Sequence, residues 1–210
     1  LNLGGIANLS LFFPDGHQLG FDTGPANTLL DAWYRLHHPD SNITFDAHGA
    51  WARSAIANES LITHLLQHEF FHKPTPKSTG REDFSLEWLQ RQLIEVTHQS
   101  LSFNLSPAII QSSLLRLTVE SIVQHLNDLP IGTLWLCGGG VNNTALIEVL
   151  KQRLPNWSIA TTDAAGYASS ALEAMLFAYL GYMRFQAKPL QLMQVTGQTR
   201  ACVLGGLWHA

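Results

Sequence analysis

Cysteine is nearly absent. Cys137 and Cys202 are the whole complement of a 210-residue chain, too few for a disulfide framework, and two reduced thiols in a cytosolic protein are the simplest expectation. Charge is sparse as well. Only 13% of residues are charged, with 12 Lys and Arg against 16 Asp and Glu and a net charge of -4, so there is no broad attraction for nucleic acid or an anionic membrane surface. No apolar run approaches the ~20 residues of a membrane span, and the start lacks the basic and apolar regions of a signal peptide. The ten histidines include neither HExxH nor the paired-Cys spacing of a zinc site. No internal repeat or low-complexity segment is present. What is plentiful is core material, with 46% hydrophobic and 10% aromatic residues, which excludes a disordered chain. The chain opens at Leu1, without an initiator Met and directly in a strand-like run, and is therefore expected to be a fragment of a cytoplasmic protein.

Periodicity divides the sequence into an antiparallel start and an alternating remainder. Leu1 to Leu3, the run 6–13 and a return through Leu19 and Phe21 read as a meander, punctuated by Gly4-Gly5 and a Pro14-Asp15-Gly16 turn. After Gly24-Pro25 the pattern becomes helical, with Leu29, Leu30, Trp33 and Leu36 on one face. Two short helices are expected within 46–67, a polar surface loop over 73–82, and amphipathic helices over 85–99 and 107–126. A strand at 133–137, a Gly138-Gly139-Gly140 turn, a helix at 145–154, a strand at 157–161 and a helix at 169–185 complete the pattern. The last helix is apolar enough to be expected largely buried. The order implies one α/β domain with a mixed sheet and helices packed on its faces, the helices of about 46–126 forming a side insertion.

Several residues carry chemical meaning beside a plainer structural one. Gly4 and Gly5, with Asn2 and Asn8 around them, allow backbone amides to approach an anion, although a tight hairpin needs the same glycines. Gly138, Gly139 and Gly140 lie between strand and helix, where α/β proteins hold ligands; a nucleotide site and a sharp turn fit equally. Asn142 and Asn143 fit caps of the next helix. Asp22 stands where a strand ends, as a general base would, or as the cap of a turn. Asp31 fits a solvated or dipole-stabilised acid. Glu173 interrupts an apolar helix and must be exposed, paired or functional. Lys77, Ser78, Thr79 and Arg81 fit an anion contact or a solvated basic loop. His37-His38 and the series His64, His68, His72 fit surface positions on a helical face better than a ligand ladder.

The order of these motifs is more specific than any of them. Asn2-Leu3-Gly4-Gly5-Ile6-Ala7-Asn8-Leu9, then Gly20-Phe21-Asp22-Thr23-Gly24-Pro25 with Asn27 and Asp31-Ala32-Trp33, resembles the anhydro-N-acetylmuramic acid kinases. So do Asp46 with Gly49-Ala50-Trp51-Ala52, Pro76-Lys77-Ser78-Thr79-Gly80-Arg81-Glu82, Cys137-Gly138-Gly139-Gly140, Gly166, Glu173-Ala174 with Phe177-Ala178, and Val195-Thr196-Gly197. The resemblance runs over essentially the whole chain. It implies the actin, sugar kinase and heat-shock ATPase superfamily, in which two ribonuclease-H-like domains close over ATP and substrate. This chain looks like the second (C-terminal) domain, without the N-terminal domain and its phosphate loop.

The implied activity opens 1,6-anhydro-N-acetylmuramic acid with water and transfers the ATP γ-phosphoryl group to O6, with Mg²⁺, in cell-wall recycling. Asp22 becomes the catalytic base, Glu173 and Asn27 sugar contacts, Gly4, Gly5 and Asn8 phosphate contacts, and Gly138, Gly139 and Gly140 the adenosine-side wall. The resemblance also implies a homodimer, and a fragment inactive by itself. Ala26 departs from the family, which usually has glycine there, and the expected outcome is tolerance. The rival reading is a non-catalytic ligand-binding or interaction domain with the same superfamily fold.

Overall fold

The computed structural model describes residues 1–99, 105–192, 195 and 199–208. Strands β1 (Asn2–Leu3), β2 (Ile6–Phe12) and β3 (Gln18–Pro25) form an antiparallel meander. Its second turn follows from the sequence. Pro14 and Asp15 fill the middle of a turn in which the Gly16 amide donates to the Phe13 carbonyl at 2.9 Å, and Gly16 takes the left-handed φ of +85° that ends it.

Helix α1 (Asn27–His37) follows at once and buries Leu29, Leu30 and Trp33, while Leu36 stays on the solvent side. Ala26, at the junction, has a φ of -128°. Its φ is negative, so alanine sits there without a left-handed backbone, although its ψ of -110° lies outside the main α and β regions.

Short helices α2 (Ala50–Arg53), α3 (Glu59–Leu65) and α4 (Glu69–His72) come next, then α5 (Leu86–Gln99) and α6 (Pro107–Val123). Their starts are capped by residue types suited to it. Asn58 accepts from the Leu61 amide at 2.9 Å, and Ser106 accepts from Ile109 at 3.4 Å with Pro107 in the first turn. Strand β4 (Thr133–Leu136) leads through a 3-10 turn at Gly139–Asn142 into α7 (Thr144–Arg153). Asn143 caps α7 through the Leu146 amide at 3.1 Å. Asn142 instead donates to the Gly139 carbonyl at 3.3 Å. Strand β5 (Ser158–Thr161) pairs parallel to β4, and α8 (Leu172–Phe185) is the last helix.

The two sheets are continuous at one seam. Leu3 N donates to Cys137 O at 2.8 Å, Cys137 N to Leu1 O at 3.0 Å, and Asn2 bridges Cys137 in parallel. The chain is therefore mixed α/β as expected, with the antiparallel meander extended by parallel strands. The core lies between this sheet and α6, which packs on β3 and on α1, α2, α3 and α7. Residues 46–126, expected as a side insertion, thus include the helix at the centre of the core. Contact of β3 with α4 and α6 is close enough to require Gly24. A Cβ there would lie 2.8 Å from the Phe71 ring and 3.2 Å from Ser121 Oγ, and its φ of +152° disfavours side chains too. Thr118 Oγ1 ties the same junction by donating to Pro25 O at 3.0 Å.

Three expectations are corrected. Helix α8 forms, but none of its residues is buried; Phe177 is 65% and Phe185 75% exposed. An apolar composition says that a helix needs an apolar neighbour, not that the neighbour is in the same segment. The polar loop over 73–82 is only partly a surface connection, because Lys77 within it is buried. The histidine series does not share a helical face: α3 ends at Leu65 and His68 caps α4, accepting from the Phe70 amide at 3.3 Å and packing its ring on Phe84 and Trp88.

Candidate active site

A β-bulge sets the site. Asn8 pairs with Asp22 and Ala7 with Gly24, so Thr23 is an extra residue in β3. Its side chain is fully buried, with Oγ1 donating to Ala7 O at 3.2 Å. The bulge re-aims the strand so that Asp22 faces outward beside Asn8 while Thr23 turns into the core.

Asp22 is then held by a segment distant in sequence. Its backbone N–H donates to Lys77 O at 2.9 Å, and its carboxylate Oδ2 accepts from Ser78 Oγ and from the Thr79 amide, both at 2.9 Å. Oδ1 accepts no hydrogen bond from a described residue. One oxygen is thus anchored and the other free, an arrangement that fixes a carboxylate without consuming it. The carboxylate opens on a cleft of about 440 Å³ lined by Asn8, Ser10, Gly20, Asp22, Lys77 and Ser78.

The clamp itself is anchored from below. Lys77 is buried with Nζ donating to Phe70 O at 3.0 Å and Phe71 O at 3.1 Å, 4.6 Å above the centroid of the Phe70 ring. It closes the carbonyl end of α4 and meets no carboxylate among the described residues. Burial lowers its pKa below the ordinary lysine value. His125 packs on Phe21 at 4.9 Å, and burial, with the Lys77 charge, pushes its pKa down to about 4. Thr79 Oγ1 donates to Asp83 Oδ2 at 2.6 Å and closes the far end of the segment.

The glycine motifs meet at the end of β1. Asn27 Nδ2 donates to Leu3 O at 3.1 Å and Gly4 O at 2.9 Å, while Gly4 and Gly5 carbonyls accept from the amides of Ala26, Asn27 and Thr28. Gly138 and Gly140 press on the same strand; a Cβ on Gly140 would lie 2.6 Å from the Leu3 Cβ, and one on Gly138 would meet Asn2 Oδ1. Gly139 has open space on that side. Gly4, Gly5, Asn27, Gly138 and Gly140 therefore share one locality, and Asn8 and Asp22 another along the same hairpin. Asn27 spends its amide protons on the backbone there. Glu173, in the first turn of α8, is exposed and makes no hydrogen bond or ion pair with a described residue. Thr196 and Gly197 of the Val195-Thr196-Gly197 motif lie outside the described residues.

Ser78, Thr79 and Lys77 were not legible as partners of Asp22. Their types and order are a strong signal, but the hydrogen bonds close over more than fifty residues of intervening chain.

A mixed α/β domain with a clamped carboxylate in a cleft and paired glycine turns fits a ligand-handling enzyme domain. A family profile described as Anhydro-N-acetylmuramic acid kinase matches residues 1–210, and the chain belongs to that family. It is 45% identical to an anhydro-N-acetylmuramic acid kinase of Idiomarina loihiensis over 98% of this chain and 54% of the relative. Enzymes of the same name from Haemophilus influenzae and Vibrio cholerae are 40% and 38% identical, over 99% and 100% of this chain and 56% and 55% of theirs. The chain spans about half the length of the curated relatives it matches.

Proposed function

We propose that the chain is the second, ribonuclease-H-like domain of an ATP-dependent cytoplasmic kinase that opens 1,6-anhydro-N-acetylmuramic acid and phosphorylates its O6. The mixed sheet, an antiparallel meander continued by parallel strands, supports the domain assignment. Homodimerisation belongs to the same proposal, and so does an insertion over 46–126 whose helix α6 joins the core instead of lying at its side. The observation that carries the chemistry is the Asp22 carboxylate, which lines the cleft and is anchored through Oδ2, while Oδ1 accepts no hydrogen bond from a described residue.

In this reading Asp22 takes a proton from water as the water oxygen bonds to the anomeric carbon. The C1–O6 bond breaks and its electron pair stays on O6. O6 then bonds to the γ-phosphorus as the bond to the ADP oxygen breaks; the proton remains on Asp22 until solvent removes it. Both steps depend on positioning, since a well-placed base and an in-line acceptor replace random encounter. Gly4, Gly5 and Asn8 are assigned to the phosphates, Gly138 to Gly140 to the adenosine side, and Glu173 and Asn27 to the sugar, with the Asn27 contact falling to its carbonyl oxygen.

The residues fit a Mg²⁺ that arrives on the nucleotide. Among the described residues no three His, Cys, Asp or Glu side chains form a metal cluster, and Mg²⁺ carried on phosphates requires only one or two protein oxygens. The Asn8 side-chain oxygen in the cleft is available to it or to its water shell. When bound, Mg²⁺ supplies neutralisation of phosphate charge.

The test follows ADP formation by the gene's full-length product with ATP, Mg²⁺ and the anhydro-sugar, wild type against Asp22→Asn. Loss of a general base lowers turnover ~10²–10⁴-fold. Turnover that survives the substitution removes Asp22 as base, and no turnover in a folded wild type removes the kinase reading.

A further inference from the structure

One cation beside the glycine turn is unused by the mechanism above. Arg81 is exposed and makes no hydrogen bond or ion pair with any described residue. It does not simply extend into solvent. Its Nη2 and Nε lie 3.6 and 3.7 Å from the position of a Cβ on Gly5, so the guanidinium packs on the face of the glycine turn. The same Gly5 position is 2.6 Å from Thr28 Oγ1, a buried hydroxyl without a hydrogen-bond partner among the described residues. Neither the Gly4 nor the Gly5 amide N–H donates to a described residue. Two backbone N–H groups without a described partner and a planar cation therefore lie at one turn, with a side chain excluded at Gly5 by Thr28.

This grouping has the chemistry of an oxyanion site. Consecutive free N–H groups at a glycine turn form an anion-binding concavity, and arginine adds fixed, charged donors suited to a phosphoryl or carboxylate group. The two neighbouring carboxylates are engaged elsewhere: Glu82, the next residue, folds back over Gly80, and Asp83 accepts from Thr79. The segment 77–81 also carries the clamp on Asp22. One short stretch thus positions the base through Ser78 and Thr79, and a cation through Arg81 two residues on.

We propose that Arg81 is the cationic contact of the phosphoryl group in flight, completing the oxyanion site of the Gly4-Gly5 turn. The inference rests on the kinase reading and adds a residue to it. Charge spreads over the equatorial oxygens of a phosphoryl group during transfer, so a guanidinium aimed there acts mainly in the transition state. The carboxylate of the sugar acid has the same oxyanion chemistry, and the experiment separates the two.

Full-length wild type, Arg81→Gln and Arg81→Lys are compared in ADP formation, with thermal midpoints checking the fold. Expected is a fall in kcat of ~10²–10³-fold for Arg81→Gln, partial recovery in Arg81→Lys, and a sugar KM changed by less than about threefold. Independently, phenylglyoxal modification of Arg81 in the wild type is read by peptide mass spectrometry. Protection by Mg²⁺-ATP but not by the sugar alone is expected. Protection by the sugar alone, with a raised KM and an unchanged kcat, assigns Arg81 to the carboxylate and overturns the proposal. Unchanged kcat without protection overturns it as well, while wild-type turnover leaves the kinase reading standing; a wild type without turnover fails that reading separately.

Discussion

Replacing Asp31 by Asn is expected to alter the pH dependence of stability. Burial in α1, opposed by Arg35 and reinforced by the Asp46 carboxylate, pushes the Asp31 pKa up to about 6 from 3.8. In the unfolded chain the group titrates near ~3.9. Below that pH both states hold the proton and Asp31 costs nothing. Between about 4 and 6 the unfolded chain loses its proton first, so stability falls as pH rises, and above 6 the penalty is complete. Two pH units correspond to at most ~3 kcal/mol, which solvent at this half-buried site reduces to about 1–1.5 kcal/mol.

His125 has the opposite sign. Its pKa is pushed down to about 4 by burial and the Lys77 charge, so its stabilising neutral form is present above ~6.5 and is lost as pH falls toward 4. The two slopes oppose each other in wild type. Asp31→Asn leaves the histidine slope alone, and the variant's stability relative to wild type grows by about 1–1.5 kcal/mol between pH 4 and 7. Urea unfolding of the full-length product at several pH values measures this. A difference that stays constant across the window, or shrinks, refutes the account of Asp31.

Two further perturbations test the scaffold under the cleft. Lys77→Met removes the donor for the Phe70 and Phe71 carbonyls; it should cost ~1–3 kcal/mol, and lower turnover as the clamp on Asp22 loosens, measured by urea midpoints and ADP release together. Gly24→Ala places a Cβ 2.8 Å from the Phe71 ring at a φ of +152°, and should cost ~2 kcal/mol or more in thermal unfolding; a neutral result would remove the argument that this contact needs glycine.

Local chemistry was legible wherever it was self-contained. Pro14-Asp15-Gly16 fixed its turn, and Asn143 announced the helix it caps. The apolar run before Gly138 gave β4, and strand-like runs separated by turn residues gave the meander. The single-turn helix α4 was missed because four residues carry too little periodicity. The bulge at Thr23 was not visible, since register is decided by pairing across the hairpin. Asp22 stood out by an expected place at a strand end, whereas β3 runs past it to Pro25 and the bulge at Thr23 is what turns it outward; its hold by Ser78 and Thr79 depends on a return of the chain that no local pattern encodes. Lys77 read as loop charge because its burial is set by α4. Glu173 was rightly marked as an interruption in an apolar helix, and its surroundings were beyond local reasoning.

The bare flank of α8 bears on how this segment behaves by itself. Met175, Leu176, Phe177, Tyr179, Tyr182 and Phe185 form an oily, largely aromatic surface turned to water, and surfaces of that kind adhere to one another or to detergent. Clusters formed by the 210-residue chain in gel filtration would therefore measure the wetting of one helix.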